Sequence, residues 1–160
     1  MSYIYEWPLV AFSVLIAIVA SFATLRMASR LAQASREALP YWVWGGACLM
    51  GLGIWATHFV GMLAMHPPIA LGYDPVLTLL SVVPAVLASA IALHVLRNPS
   101  ASSRTVMSAS VFMGLGISAM HYTGMAALQM SPSIQYRPGT LVLSVVIAMG
   151  ASWAALHLVF

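Results

Sequence analysis

Apolar side chains fill this chain in long runs, and the few charged residues fence the runs off. Uncharged stretches lie between Glu6 and Arg26, between Asp74 and Arg97, and after Arg137. Each is close to the ~20 residues that cross a bilayer as helix. Two longer uncharged windows, residues 38–73 and 105–136, each hold one helix plus a loop, because Pro67-Pro68 and Pro132 end the apolar pattern. The pattern therefore predicts an all-α, polytopic transmembrane bundle of five helices, over about 8–27, 41–65, 75–96, 105–129 and 140–160.

The pattern also repeats. Gly51-Leu52-Gly53-Ile54, followed by His58, Gly61 and Met62, recurs 63 positions later as Gly114-Leu115-Gly116-Ile117, followed by His121, Gly124 and Met125. The same offset carries Tyr73-Asp74-Pro75 onto Tyr136-Arg137-Pro138 and Ala92-Leu93-His94 onto Ala155-Leu156-His157. A looser match at an offset of 68 sets Tyr5-Glu6 under Tyr73-Asp74 and Ala20-Ser21 under Ala88-Ser89. One helix-pair unit is thus used three times, and the third unit stops after its first helix. Residues 1–160 read as a single domain that lacks a sixth helix. The expectation is truncation before that helix, with completion by a second subunit, a homodimer, as the alternative.

Composition agrees. With 62% hydrophobic and 6% charged residues and a mean hydropathy of +0.96, the chain falls far below the roughly quarter-charged make-up of a soluble surface, and its main partner is the lipid bilayer. Five of the six arginines fall near or in the loops after the first and third helices. Positive loops stay cytoplasmic, so the N-terminus is expected outside. A net charge of +3 spread over loops is no footprint for nucleic acid. Met1 to Trp7 has no Lys or Arg and does have Glu6, so the first span is expected to stay as an anchor rather than leave as a signal peptide. The lone Cys48 falls inside a span and cannot pair internally.

The candidate chemistry lies in the repeated stretch. Hydrocarbon penalises any polar side chain without a partner, so His58 and His121 need a reason to be there. Residues four apart on a helix share a face, which sets His58 beside Met62 and His121 beside Met125. Both helices travel outward, so the two pairs are expected to meet at one depth in the outer leaflet. Imidazole with thioether suits a soft or borderline ion, copper before zinc, and no carboxylate lies near for a hard cation. The expected metal ligands are His58, Met62, His121 and Met125. Gly51, Gly61, Gly114 and Gly124 hold equal places around the two histidines and are expected to let their helices approach closely. His66 reads as a solvated interfacial residue, and His94 and His157 suit the negative ends of their helices. Trp7, Trp42 and Trp44 fit an aromatic belt. Trp55 faces the His58 side and could pack over the site. Met50 and Met113 read as lipid-facing or core residues. No Walker loop, Ser-His-Asp set, carboxylate pair or Cys cluster is present, so no catalytic residue and no enzyme is expected.

Met120-His121-Tyr122-Thr123, followed by Gly124-Met125, resembles the signature of the MHYT domain, a bacterial integral membrane sensor, and the resemblance covers essentially the whole chain. It implies fusion to a cytoplasmic output domain of diguanylate cyclase, phosphodiesterase or histidine kinase type. It also implies copper bound near the outer face through Met, His and Tyr, and sensing of a diatomic gas such as O2, CO or NO. The first copy has Thr57 and Phe59 where the second has Met120 and Tyr122, so a Met or Tyr adjoining the histidine could act in only one repeat. The rival readings are a haem-binding electron carrier with His58 and His121 as axial ligands, a metal transporter, and a purely structural subunit. Transport requires polar groups through both leaflets, yet the inner halves of the two histidine helices offer only groups such as Cys48, Ser108 and Ser110.

Overall fold

A computed structural model describes residues 4–66, 71–98, 100–131 and 135–158. Pro67, Pro68, Pro99, Pro132 and Phe160, which mark loops and the chain end in the sequence, lie outside the described residues. The helices are α1 (Trp7–Leu31), α2 (Leu39–Leu63), α3 (Pro75–Leu80) continued by α4 (Val82–Leu96), α5 (Ser103–Ala126) and α6 (Pro138–His157). With α3 and α4 forming one span, the chain is the five-helix bundle that the apolar runs predict, and it is a multi-pass membrane protein. Among the described residues four spans are long and apolar enough to cross a bilayer by length and composition: Trp7–Leu31, Leu39–Leu63, Pro75–Leu96 and Pro138–His157. Helix α5 is as long but more polar, and its serines answer themselves: Ser110 donates to the Val106 carbonyl at 2.7 Å and Ser118 to that of Gly114 at 2.8 Å.

Two details differ from the pattern. Helix α1 runs past residue 27 to Leu31, so Arg26 and Arg30 ride on helix rather than loop. Arg30 then meets the negative helix end, and the Arg26 guanidinium lies 5.0 Å from the Phe22 ring centre. The third span breaks at Ser81. Pro84 has no N–H for the Leu80 carbonyl, and the Ser81 hydroxyl turns back to donate to the Thr78 carbonyl at 2.6 Å. The Trp55 indole N–H, reaching across from α2, donates to that carbonyl at 3.1 Å and to Ser81 Oγ at 3.0 Å. Trp55 therefore clasps the α3/α4 joint.

Four two-residue strands were not foreseen, because two residues are too short to show alternation. Strand β1 (Ile4–Tyr5) pairs antiparallel with β2 (Met65–His66), setting Tyr5 opposite Met65. Strand β3 (Gly72–Tyr73) pairs likewise with β4 (Leu128–Gln129), setting Tyr73 opposite Leu128. The Glu6 N–H donates to the Ala64 carbonyl at 2.9 Å and that of Asp74 to the Ala127 carbonyl at 2.8 Å. Each unit is thereby clipped at one end, and the two clips obey the sequence repeat residue for residue.

The helices pack as a row, α1 on α2, α2 on α4, α4 on α5 and α5 on α6, with α2 and α5 touching lightly. The repeat holds inside. A cluster around Val43 and Leu93 joins α1, α2 and α4, and their counterparts Val106 and Leu156 join α4, α5 and α6. Large apolar side chains such as Phe12, Ile18, Leu79 and Val142 are exposed on the outside, as suits lipid.

Glycines set the spacing. A methyl group on Gly51 would stand 2.7 Å from the Val86 backbone in α4, and one on Gly114 would stand 2.5 Å from the Met149 backbone in α6. Gly53 meets Ala20 of α1 and Gly116 meets Ala88 of α4 in the same tight fashion. The expectation that these glycines bring the two histidine helices together is corrected: Gly51 and Gly114 seat each helix on the next unit, nothing lies within 4 Å of Gly61, and only Gly124 faces across from α5 to α2. Helical spacing placed them on a broad face without saying which neighbour that face meets.

Replacing Gly114 with Val is expected to destabilise the protein by about 1–3 kcal/mol through overpacking, whereas Gly61→Ala is expected to be neutral or to stabilise by up to ~1 kcal/mol. Unfolding in a detergent titration compares them. Trp55→Phe removes the clasp on the joint and is expected to cost about 1 kcal/mol; Ser81→Ala added to it should then cost less than Ser81→Ala alone, which a double-mutant cycle measures.

Candidate functional site

The light α2–α5 contact lies at the level of the histidines. His58 and His121 stand with ring centres 4.9 Å apart and planes at 72°. Gly124 makes this possible: a methyl group there would come 2.9 Å from the Phe59 ring and 3.5 Å from His58 Nε2. The residues that helical spacing aligned on two separate helices are thus adjacent in space.

The pair is incompletely satisfied. His58 Nε2 and the Thr57 hydroxyl are buried and have no hydrogen-bond partner among the described residues. An unanswered buried polar group costs about 1–3 kcal/mol. Met62 and Met125, one turn beyond their histidines, are half-buried and so accessible to a small ligand. No group of three or more His, Cys, Asp or Glu converges among the described residues, so an ion here would rely on the two imidazoles and on thioether sulfur. Metal–imidazole bonds are about 2 Å long, and rings this close fit one ion between them. The donor chemistry and the orphaned nitrogen both fit copper.

The neighbours of the histidines face elsewhere. Met120 is buried, 2% exposed, and the Tyr122 hydroxyl pairs with Ser144 Oγ of α6 at 2.5 Å. Tyr122 is therefore engaged with the next helix, as Trp55 is with Ser81. The two acceptors, Ser81 and Ser144, are 63 residues apart, although their aromatic partners sit one turn apart in the repeat. Trp55 packs on Phe59, ring centres 4.9 Å apart, and Phe59 in turn packs on His58 at 5.2 Å. This pair of clasps escaped the sequence reading; the equal spacing of Ser81 and Ser144 was the available signal.

Beside the histidines each unit carries an aromatic pair. Phe59 faces Tyr73 at 6.5 Å, and their counterparts Tyr122 and Tyr136 face each other at 5.6 Å. Burial pushes the Tyr73 hydroxyl up from its usual range, and burial together with Tyr122 does the same for Tyr136, so both stay neutral. His66, half-exposed, lies 3.6 Å from Glu6, which matches an interfacial residue. His157 stacks on Trp153 at 5.2 Å in the last turn of α6, and His94 is exposed in the last turn of α4. Cys48 is free and exposed.

The MHYT family, described as the bacterial signalling protein N terminal repeat, matches residues 1–40, 51–109 and 114–160. The second and third matches begin at Gly51 and Gly114, where the internal repeat begins. Among curated relatives, the bifunctional diguanylate cyclase/cyclic di-GMP phosphodiesterase MucR of Pseudomonas aeruginosa is 52% identical over 98% of this chain and 23% of its own length. The cyclic di-GMP phosphodiesterase NbdA of the same organism is 44% identical over 95% of the chain and 19% of its own. The signaling protein YkoW of Bacillus subtilis is 31% identical over 98% and 19%. The chain therefore spans about a fifth of the length of these relatives. No solved structure matches it. The family matches cover the chain from end to end, and it belongs to the MHYT family, the membrane-embedded sensory domain of bacterial signalling proteins.

Proposed function

We propose that this domain binds copper between α2 and α5 and uses the occupied site to sense a diatomic gas or redox state. The observation that carries the reading is the His58–His121 pair, two imidazoles brought together within a membrane bundle with one nitrogen buried and unanswered. His58 and His121 would hold the ion from two helices, with Met62 and Met125 as the soft ligands that favour copper. Bound copper would supply a redox-active centre able to take a small gas molecule.

The rest of the mechanism is mechanical. Helix α2 bears His58 and, one turn before it, Trp55, which holds the α3/α4 joint. Helix α5 bears His121 and, next to it, Tyr122, which holds Ser144 of α6. A change in the separation of the two imidazoles loads both clasps and tilts α4 and α6, whose far ends carry the perturbation across the bilayer. Such a shift needs a ligand that prefers one packing over the other. The relatives named as cyclases and phosphodiesterases support an output domain of that kind, attached at the end of the bundle where the arginines cluster. Those arginines support a reading in which that end faces the cytoplasm and the histidines lie near the outer face of the inner membrane, N-terminus outside. Direct packing of Gly124 on Phe59 and His58 leaves no slot for a macrocycle between the histidines, which disfavours the haem reading.

Purified from membranes, the protein is expected to carry near-stoichiometric copper and to show no Soret band. His58→Ala and His121→Ala should each weaken copper binding by at least about tenfold, and Met62→Leu or Met125→Leu by less. Unchanged copper in both histidine variants would remove the site. For orientation, alkaline phosphatase fused after Ser131 is expected to be active and after Ser35 inactive; the reverse pattern would invert the topology.

A further inference from the structure

Helix α1 divides its side chains between two sides. At about 3.6 residues per turn, its buried residues Ser13, Thr24, Ala28 and Leu31 share one side, where Ala20 meets Gly53 and Met27 meets Gly45 of α2. The opposite side carries Phe12, Leu15, Val19 and Phe22, each more than half exposed. It continues with Arg26 and Arg30, both exposed. This stripe is turned away from α2 and toward lipid.

Depth matters for the two cations. Counted from Trp7, which suits one interface, the ~20 helical residues that cross hydrocarbon end near Met27. Arg26 lies just inside that limit and Arg30 one turn beyond it. A helical side chain leans toward the N-terminus of its helix, here toward the middle of the bilayer. The Arg26 guanidinium accordingly rests 5.0 Å from the centre of the Phe22 ring, one turn deeper. The ring face offsets part of the cost of a cation at this depth, but it supplies no anion. None comes from the protein either: among the described residues the one ion pair is Glu6 with His66, at the other end of α1. Five arginines gather at the Arg30 end, and the single carboxylate near them, Glu37, is exposed and pairs with none. Two like charges four residues apart on one face also repel each other.

We infer that Arg26 and Arg30 form a binding site for the headgroup phosphate of an anionic phospholipid, in the leaflet at the C-terminal end of α1, with Phe22, Val19 and Leu15 lying along its acyl chain. The planar guanidinium fork matches phosphate oxygens in pairs, and one phosphate between two forks relieves their mutual repulsion. Depth selects the occupant. An acidic segment of a soluble domain would have to enter hydrocarbon to meet Arg26, whereas lipid phosphates surround the helix at that level. A second copy docked in parallel on the same stripe would set Arg26 and Arg30 against their own equivalents. Phosphatidylcholine brings its phosphate together with an ammonium of its own, so a headgroup of net negative charge is the better match. Because α1 packs on α2 and β1 is clipped to β2, the headgroup fixes the depth of the helix that carries His58. This inference uses no metal and stands whether or not the histidines hold copper.

The test compares lipids at the surface of the full chain. The protein is reconstituted in phosphatidylcholine vesicles with a trace of phosphatidylglycerol or phosphatidylcholine spin-labelled near the chain end, and electron paramagnetic resonance gives the fraction of each label held immobile by the protein. Averaged over all lipids in contact, the wild-type chain is expected to favour phosphatidylglycerol by at least about twofold. Arg26→Gln with Arg30→Gln should remove most of that excess. Arg97→Gln with Arg104→Gln, which takes the same charge from the same end, should remove less than half. Equal losses in the two double variants overturn the inference in favour of diffuse attraction. Displacement of the labelled lipid by inorganic phosphate, added at constant ionic strength, overturns it in favour of a soluble anion. No preference in the wild-type chain overturns it without any variant and leaves the guanidinium pair to an acidic polypeptide. The amount of phosphatidylcholine held per protein checks that each variant is folded.

Discussion

Within a bilayer two helices gain little by hiding apolar side chains from each other, because lipid is as apolar as leucine. Close backbone contact has to hold them instead, and in this protein glycine provides it. Gly51 and Gly53 let α2 lie against α4 on one side and α1 on the other, and Gly114 and Gly116 do the same for α5 between α6 and α4. The contacts around them repeat in the same register. Val43 reaches Leu93, Val106 reaches Leu156, and the strand clips close at the same register in each unit.

The histidine pair is a product of the same geometry. Two helices that each press on α4 from either side converge beside it, and at the level of Gly124 the two imidazoles and the Phe59 ring lie between them. Duplication of one helix-pair unit therefore turns a single intramembrane histidine, ordinarily a liability, into a two-fold constellation. The aromatic clasps follow the same logic. Each ties a histidine helix to the next unit through a serine that has already turned its hydroxyl proton toward its own backbone, leaving oxygen lone pairs free to accept. Each histidine helix is thereby hydrogen-bonded to the unit that follows it.

Asymmetry between the copies is informative too. Asp74 caps its helix by accepting from the Val76 and Leu77 N–H groups at 2.9 Å, whereas the equivalent Arg137 has no acceptor to offer. Pro84 and Ser81 break the third span, while α6, its equivalent in the next unit, runs unbroken. The units share backbone packing and differ in local chemistry, so the bundle is only approximately symmetric.

Much of this was legible in the chain itself. Charges spaced a bilayer apart fix the number of spans, because few charges survive in hydrocarbon, and an offset of 63 with no gap fixes which helices are equivalent. His58 and His121 could be paired from equal depth alone. What periodicity could not supply was direction: a helical repeat says which residues share a face, not which neighbour the face meets, so Gly51 and Gly114 were assigned to the wrong contact and the bond from Trp55 to Ser81 was not foreseen. The two-residue strands left no pattern to read. The choice of neighbour was settled only when all five spans were packed together, since close approach in one pair of helices decides how near every other pair can come.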